Sequence, residues 1–201
     1  MVEVYSPYAT WKRVKVAARG ANLFVYLGHG NGWPSNHGPF QPYTKDGLGL
    51  NRMAGGGNYN TTYYGELYIK RDLLLAPGAV VLLMRTCYAA GNPEGGGPTP
   101  VLDTARKRVD NYGAGFLRAG ARVVIADIGG RAGYVLRALF KSGRTMREIF
   151  WSSPDADGRF REFITAKRSP TWAKGIMDPY RPKYYYRSII GDLDYTASQW
   201  R

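Results

Sequence analysis

Three apolar runs organise the chain. Residues 21–27 (ANLFVYL), 79–84 (AVVLLM) and 122–128 (RVVIADI) are apolar on both alternating faces. Each ends at a polar or glycine-bearing tip: Gly28-His29-Gly30, Arg85-Thr86-Cys87 and Gly129-Gly130. Runs of this length, apolar on both sides, predict buried parallel strands. Helical spacing fills the intervals. Thr10 opens a helix over 11–19 with Trp11, Val14 and Ala18 on one face, and 67–76 reads as a short helix broken by Pro77-Gly78. Asp103 or Thr104 opens another to about Ala119, with Gly120 as its stop; 132–141 and 146–151, the latter behind Thr145, follow. Val2-Glu3-Val4-Tyr5 reads as a short strand, and 184–190 as a last strand closed by Gly191-Asp192. Residues 31–66 and 89–100 lack a clear period and read as long loops of the kind that usually carry function.

Alternation of strands and helices predicts an α/β protein, a three-layer α/β/α sandwich with a mostly parallel sheet. Residues 1–201 form one domain on this reading. Ligands in such sheets sit at the carboxyl ends of the strands. His29, Cys87 and the 127–130 tip all fall there, which is the central sequence observation.

Composition changes this picture in two places. The net charge is +13, with nine Lys/Arg against five Asp/Glu in residues 1–100 and nineteen against ten in 101–201. A basic half suits anionic partners, but the charges are dispersed. The longest basic run is Arg106-Lys107-Arg108, so nucleic-acid binding is disfavoured against a solvated, Arg-rich surface. One cysteine and two histidines leave too few ligands for a Cys/His zinc cluster. No cofactor or metal is expected. No stretch of about 18 apolar residues predicts a membrane span, and the first residues lack a signal-peptide pattern. The oligomeric state stays open.

A thiol attacks as thiolate and needs a base or a positive environment. Adjacent parallel strands can each deliver one such residue from their tips. His29 is the candidate base and Cys87 the candidate nucleophile. The backbone N–H groups of Gly30 and Cys87 are candidate oxyanion donors. Continued alternation would put Arg85 on the cleft side beside Cys87, unless Arg85 pairs with a neighbour such as Asp127 or Glu66. Residues 80–91 (VVLLMRTCYAAG) resemble the strand-Cys motif of metacaspase-like and paracaspase-like enzymes, where an Asp two before the Cys receives a basic side chain. That resemblance implies an acidic or polar one for Arg85. Asp127 could instead receive a basic side chain, and the sequence leaves the two open. Trp33, with Tyr43, Tyr59, Tyr63 and Tyr64, is a candidate cleft wall, or the packing of a self-supporting loop. Tyr184-Tyr185-Tyr186 is a strand first and only weakly a stacking platform.

The segment 22–32 (NLFVYLGHGNG) resembles the strand-His-Gly motif of caspase-fold cysteine peptidases, and 80–91 (VVLLMRTCYAAG) their strand-small-Cys motif with Thr86 as the small residue. Residues 112–126 (YGAGFLRAGARVVIA) resemble the helix and strand that follow, also seen in CHAT domains, and 189–193 (IIGDL) resembles the closing of gingipain-like domains. The string GHGNGWPS is similar to uncharacterised bacterial domains associated with secreted proteins. The resemblance spans about residues 2–195. It implies a caspase-like fold lacking its first strand, a cysteine endopeptidase acting on a peptide or protein through His29 and Cys87, and a secreted or cell-surface setting. The Gln-Ala-Cys signature of caspases is absent. The alternatives are a catalytically silent caspase-like binding or assembly module and, behind it, a basic polymer binder.

Overall fold

The three apolar runs become three neighbouring parallel strands. The computed structural model describes residues 1–57, 59–158, 161–164, 167–181 and 184–201; the side chains of 161, 162, 164, 179–181 and 184 lie outside that description. The elements are α1 (Trp11–Ala18), β1 (Leu23–Leu27), β2 (Gly30–Asn31), β3 (Gly47–Asn51), β4 (Thr61–Tyr64), α2 (Glu66–Asp72), β5 (Ala79–Met84), α3 (Leu102–Arg118), β6 (Ala121–Asp127), α4 (Gly133–Lys141), α5 (Met146–Trp151), β7 (Arg161–Ile164), β8 (Lys174–Arg181), β9 (Tyr184–Gly191) and α6 (Ala197–Trp200).

Among the described residues the main sheet has the order β1-β5-β6-β9-β8-β7. β1, β5 and β6 pair in parallel, whereas β9 runs against β6 and β8, and β7 runs against β8. Strand direction is thus mostly shared, but the sheet is mixed, with an antiparallel half. β5 is buried along its whole length because both its faces are covered. Val81 and Leu83 join α1, α2 and α3 in one core; Val80, Leu82 and Met84 join α4, α5 and α6 in the other. This is the three-layer α/β/α arrangement. β1 is the sheet's edge, and Val25 and Leu27 are exposed on it.

Several local expectations shift. Residues 2–5 form no strand. Thr10 precedes α1 without a side-chain cap, and its backbone instead bridges to Asn51. Helix α3 begins at Leu102 and also lacks a side-chain cap. Thr145 does cap α5, in a reciprocal box with Glu148. The region 31–66, read as loop, holds the small antiparallel sheet β2-β3-β4. Its strands are short, and two of the five residues of β3 (GLGLN) are glycine, which mutes the strand signal.

The antiparallel half is tied to the parallel half by one buried row of charge. Arg187 of β9 stands in register between Asp127 of β6 and Asp178 of β8. All three are at most 2% exposed. The guanidinium is paired with Asp178, lies 3.5 Å from Asp127 and donates to the Phe150 carbonyl and the Tyr134 hydroxyl. Its plane also covers the Phe150 ring at 4.4 Å. Burial pushes both carboxyls above the usual range, and the Arg187 charge opposes that shift. Replacing Arg187 with Leu strands two buried carboxylates and should cost roughly 3–5 kcal/mol near neutral pH. An acid whose folded pKa is raised regains stability as pH falls. Urea midpoints of the Leu variant should therefore approach wild type between pH 8 and pH 5.

Candidate active site at the strand tips

β1 and β5 are in register from Leu23 opposite Val80 to Leu27 opposite Met84, so the segments that leave them depart side by side. Gly28 N–H still reaches the Met84 carbonyl. Two steps on, Gly30 is wedged against the Cys87 loop: a Cβ there would lie 2.4 Å from the Cys87 carbonyl oxygen, 2.4 Å from the Tyr112 hydroxyl and 2.7 Å from the Thr86 methyl. No side chain fits. The glycine after His29 is what lets the His29 and Cys87 segments touch. The Tyr112 hydroxyl, fully buried on α3, donates to the Gly47 carbonyl and accepts from Asn31 N–H, pinning the start of the small sheet behind this contact. His29 is exposed at the rim. Its carbonyl accepts from the Tyr26 hydroxyl at 2.8 Å and from Gly49 N–H at 2.9 Å.

Cys87 lies between two residues in the left-handed region, Arg85 (φ 54°) and Tyr88 (φ 70°). Non-glycine residues held there carry strain that gathers at functional sites. The sulfur is half-buried. The N–H groups of Gly30 and of Cys87 itself face it and favour thiolate, and so does the N–H of Gly95. Both expected oxyanion donors are therefore brought to the sulfur; Gly95, in the glycine-rich 89–100 loop, is a third that no sequence signal singled out. The thiol is nonetheless pushed above its ordinary range, first by burial and then by the Glu94 carboxylate. Glu94 is itself paired with His37. Tyr63, one of the aromatics named as cleft walls, has its hydroxyl raised first by burial and then by the neighbouring Cys87. Among the described residues, no hydrogen bond joins the His29 imidazole to the sulfur.

The other substrate-binding candidates separate. Strand alternation does not reach Arg85, because β5 ends at Met84 and the left-handed turn swings Arg85 across the tip of β6. There its Nε lies 3.0 Å from where a Gly130 Cβ would be, so the side chain passes close over that glycine. Asp127 points inward, with Oδ1 accepting from Gly130 N–H and the other oxygen toward Arg187, so it offers nothing to a basic substrate side chain. Glu66 is 4% exposed and paired with Arg168, and so cannot line the cleft. Trp33 belongs to its loop: its ring packs on Phe40 at 6.3 Å, its N–H donates to Asp46 and its carbonyl accepts from Asn111. Tyr64 stacks on Trp11 at 4.9 Å. Tyr185 is buried and Tyr186 half-buried, and the side chain of Tyr184 lies outside the described residues.

That loop is braced by buried charge. Lys45 Nζ donates to Asn31, Ser35 and the His37 carbonyl. Asp46, fully buried, is pushed up to about 7 by burial, against the pull of Trp33 N–H and Arg168. Among the described residues no group of His, Cys, Asp and Glu could hold a metal ion, and no helix is long and apolar enough to cross a membrane. No family model matches the chain, and no curated protein matches it.

The arrangement offers a thiol, an adjoining imidazole-bearing segment and converging amides. Removing the Glu94 charge should ease thiolate formation. In Glu94→Gln, the pH midpoint of Cys87 alkylation should fall relative to wild type, whose midpoint should lie above the roughly 8.5 of a free thiol. Rates of iodoacetamide capture across pH 6–10 measure both.

Proposed function

We propose that the protein is a cysteine endopeptidase of caspase-like type, with Cys87 as nucleophile and His29 as general base. The observation that carries this is the wedge at Gly30, where the segment bearing the imidazole packs directly on the segment bearing the thiol and the N–H groups of Gly30 and Cys87 face the sulfur. A thiol held above its ordinary range is largely protonated at neutral pH, so the base must take its proton during attack rather than beforehand. Cys87 Sγ adds to the scissile carbonyl as His29 accepts the thiol proton. The Gly30 and Cys87 amides receive the developing oxyanion. Collapse expels the amine, which leaves with the proton from His29, and a thioester remains. Water, deprotonated by His29, then releases the acid and returns the thiol.

A peptidyl electrophile should form an adduct on Cys87, seen by intact mass. In His29→Ala that rate should fall by about a hundredfold or more. A rate unchanged in His29→Ala would overturn the assignment. A second reading, a catalytically silent caspase-like binding module, is favoured by one observation: the imidazole and sulfur share no hydrogen bond and the thiol is raised. It expects Cys87 to react with iodoacetamide no faster in wild type than in His29→Ala.

A further inference from the structure

We infer that the cavity at the N-terminus of α3 is a phosphate site, holding a phosphate group, free or on an ester, with the Arg108 guanidinium, the Thr104 hydroxyl and the first amides of the helix. Neither His29 nor Cys87 takes part. The cavity has a volume of about 170 Å³, and Arg108, Thr104, Tyr88, His37 and Glu94 are among the residues that line it. It shares a wall with the thiol crevice, because the Gly95 N–H faces the sulfur while its neighbour Glu94 lines the cavity.

Arg108 is a buried cation that no anion of the chain answers. It is 6% exposed. Its Nε donates to the Pro34 carbonyl at 2.7 Å and Nη1 to the Gly91 carbonyl at 3.1 Å, while Nη2 has no acceptor among the described residues. The guanidinium covers the Tyr88 ring at 4.9 Å. Burial holds its pKa below the ordinary value, and Tyr88, not a carboxylate, is the group that opposes this. A guanidinium keeps its proton in a protein, and a buried charge ordinarily has a partner of opposite sign. Arg168 and Arg187 have theirs in Glu66 and Asp178.

The helix start supplies the matching donors. α3 is 17 residues long and has no side-chain cap. Among the described residues nothing accepts from the N–H groups of Leu102, Asp103 or Thr104. Orphan amides and the helix dipole together favour an anion. Thr104 and Arg108 are four residues apart and so share one face of the helix. The carboxylates nearby are engaged elsewhere: Asp103 pairs with the exposed Lys107 at 2.7 Å, and Glu94 pairs with His37. Phosphate presents several strong acceptor oxygens in different directions, which suits donors arriving from a helix axis, a hydroxyl and a guanidinium at once.

The test is isothermal titration with inorganic phosphate, with ionic strength held constant by sodium chloride so that the general attraction of a +13 protein for anions is screened equally. Wild type should bind one phosphate per chain with a Kd of about 1 mM or tighter. Thr104→Glu places a carboxylate in the site one turn before Arg108, where the helix dipole favours it. It should weaken phosphate binding about tenfold or more, the worth of one charge-assisted hydrogen bond, and raise the thermal midpoint of the phosphate-free protein. Arg108→Met should abolish binding; because Arg108 also holds two carbonyls, Thr104→Glu decides where Arg108→Met does not fold. Lys141→Ala, on α4, removes one positive charge away from the cavity and should leave affinity unchanged. Phenyl phosphate bound more tightly than inorganic phosphate assigns an ester to the site, and the reverse assigns the free ion. No saturable binding of either, wild-type affinity in Thr104→Glu, or equal weakening in Lys141→Ala would overturn the site. Acetate bound more tightly than both would overturn its assignment to phosphate.

Discussion

The close approach at Gly30 is the constraint on which the candidate site depends. Parallel pairing of β1 with β5 delivers two chain segments to the same end of the sheet, but pairing alone would leave them a normal side-chain width apart. Here the backbone of one rests on the Thr86 methyl and the Cys87 carbonyl of the other, with the Tyr112 hydroxyl closing the third side. A contact of that kind is unforgiving, because each neighbour is either backbone or a buried, hydrogen-bonded group with nowhere to move. It also explains why α3 matters to the site without touching the solvent there: Tyr112 reaches across to hold Gly47 and Asn31, and so fixes where the small sheet begins.

Around that contact, the protein spends its charged residues internally to an unusual degree. Arg187 joins β6, β8, α4 and α5. Arg168 joins α2 through Glu66 while its own backbone N–H, with that of Ser169, is held by Asp110 of α3. Lys45 gathers the loop that follows His29. Each removes a charge that composition alone would have assigned to the surface. Buried ion pairs contribute little net stability compared with apolar packing, but they penalise misalignment heavily, so their effect here is to set register between elements far apart in the chain. The charges left outside this scheme, Arg85 above all, are then conspicuous at the strand tips.

Cys87 is surrounded by opposing influences. Three amides favour its thiolate, whereas burial and Glu94 oppose it. The balance leaves a thiol harder to ionise than an ordinary cysteine.

Much of the scaffold was legible in the chain itself. The runs at 21–27, 79–84 and 122–128 are apolar on both faces because they occupy a two-sided interior, and a two-sided interior leaves that mark in any sequence. The placement of His29 and Cys87 at their tips followed from this, as did the cap at Thr145, whose partner Glu148 is three residues away. The β2-β3-β4 sheet and the β7-β8 pair were not legible: β2, β4 and β7 are short, β3 has two glycines in five residues, and β8 carries Pro179 within its run, which argues against a strand. The roles of the charged residues lay wholly beyond sequence. Asp127, Glu66 and Arg85 are equally polar letters near strand ends, and nothing local distinguishes them. Only the fold brings Arg187 between Asp127 and Asp178, lays Arg168 on Glu66 and turns Arg85 outward over Gly130. Periodicity is a property of neighbours along the chain and can be read there; the pairing of a charge depends on groups that meet only once the chain has folded.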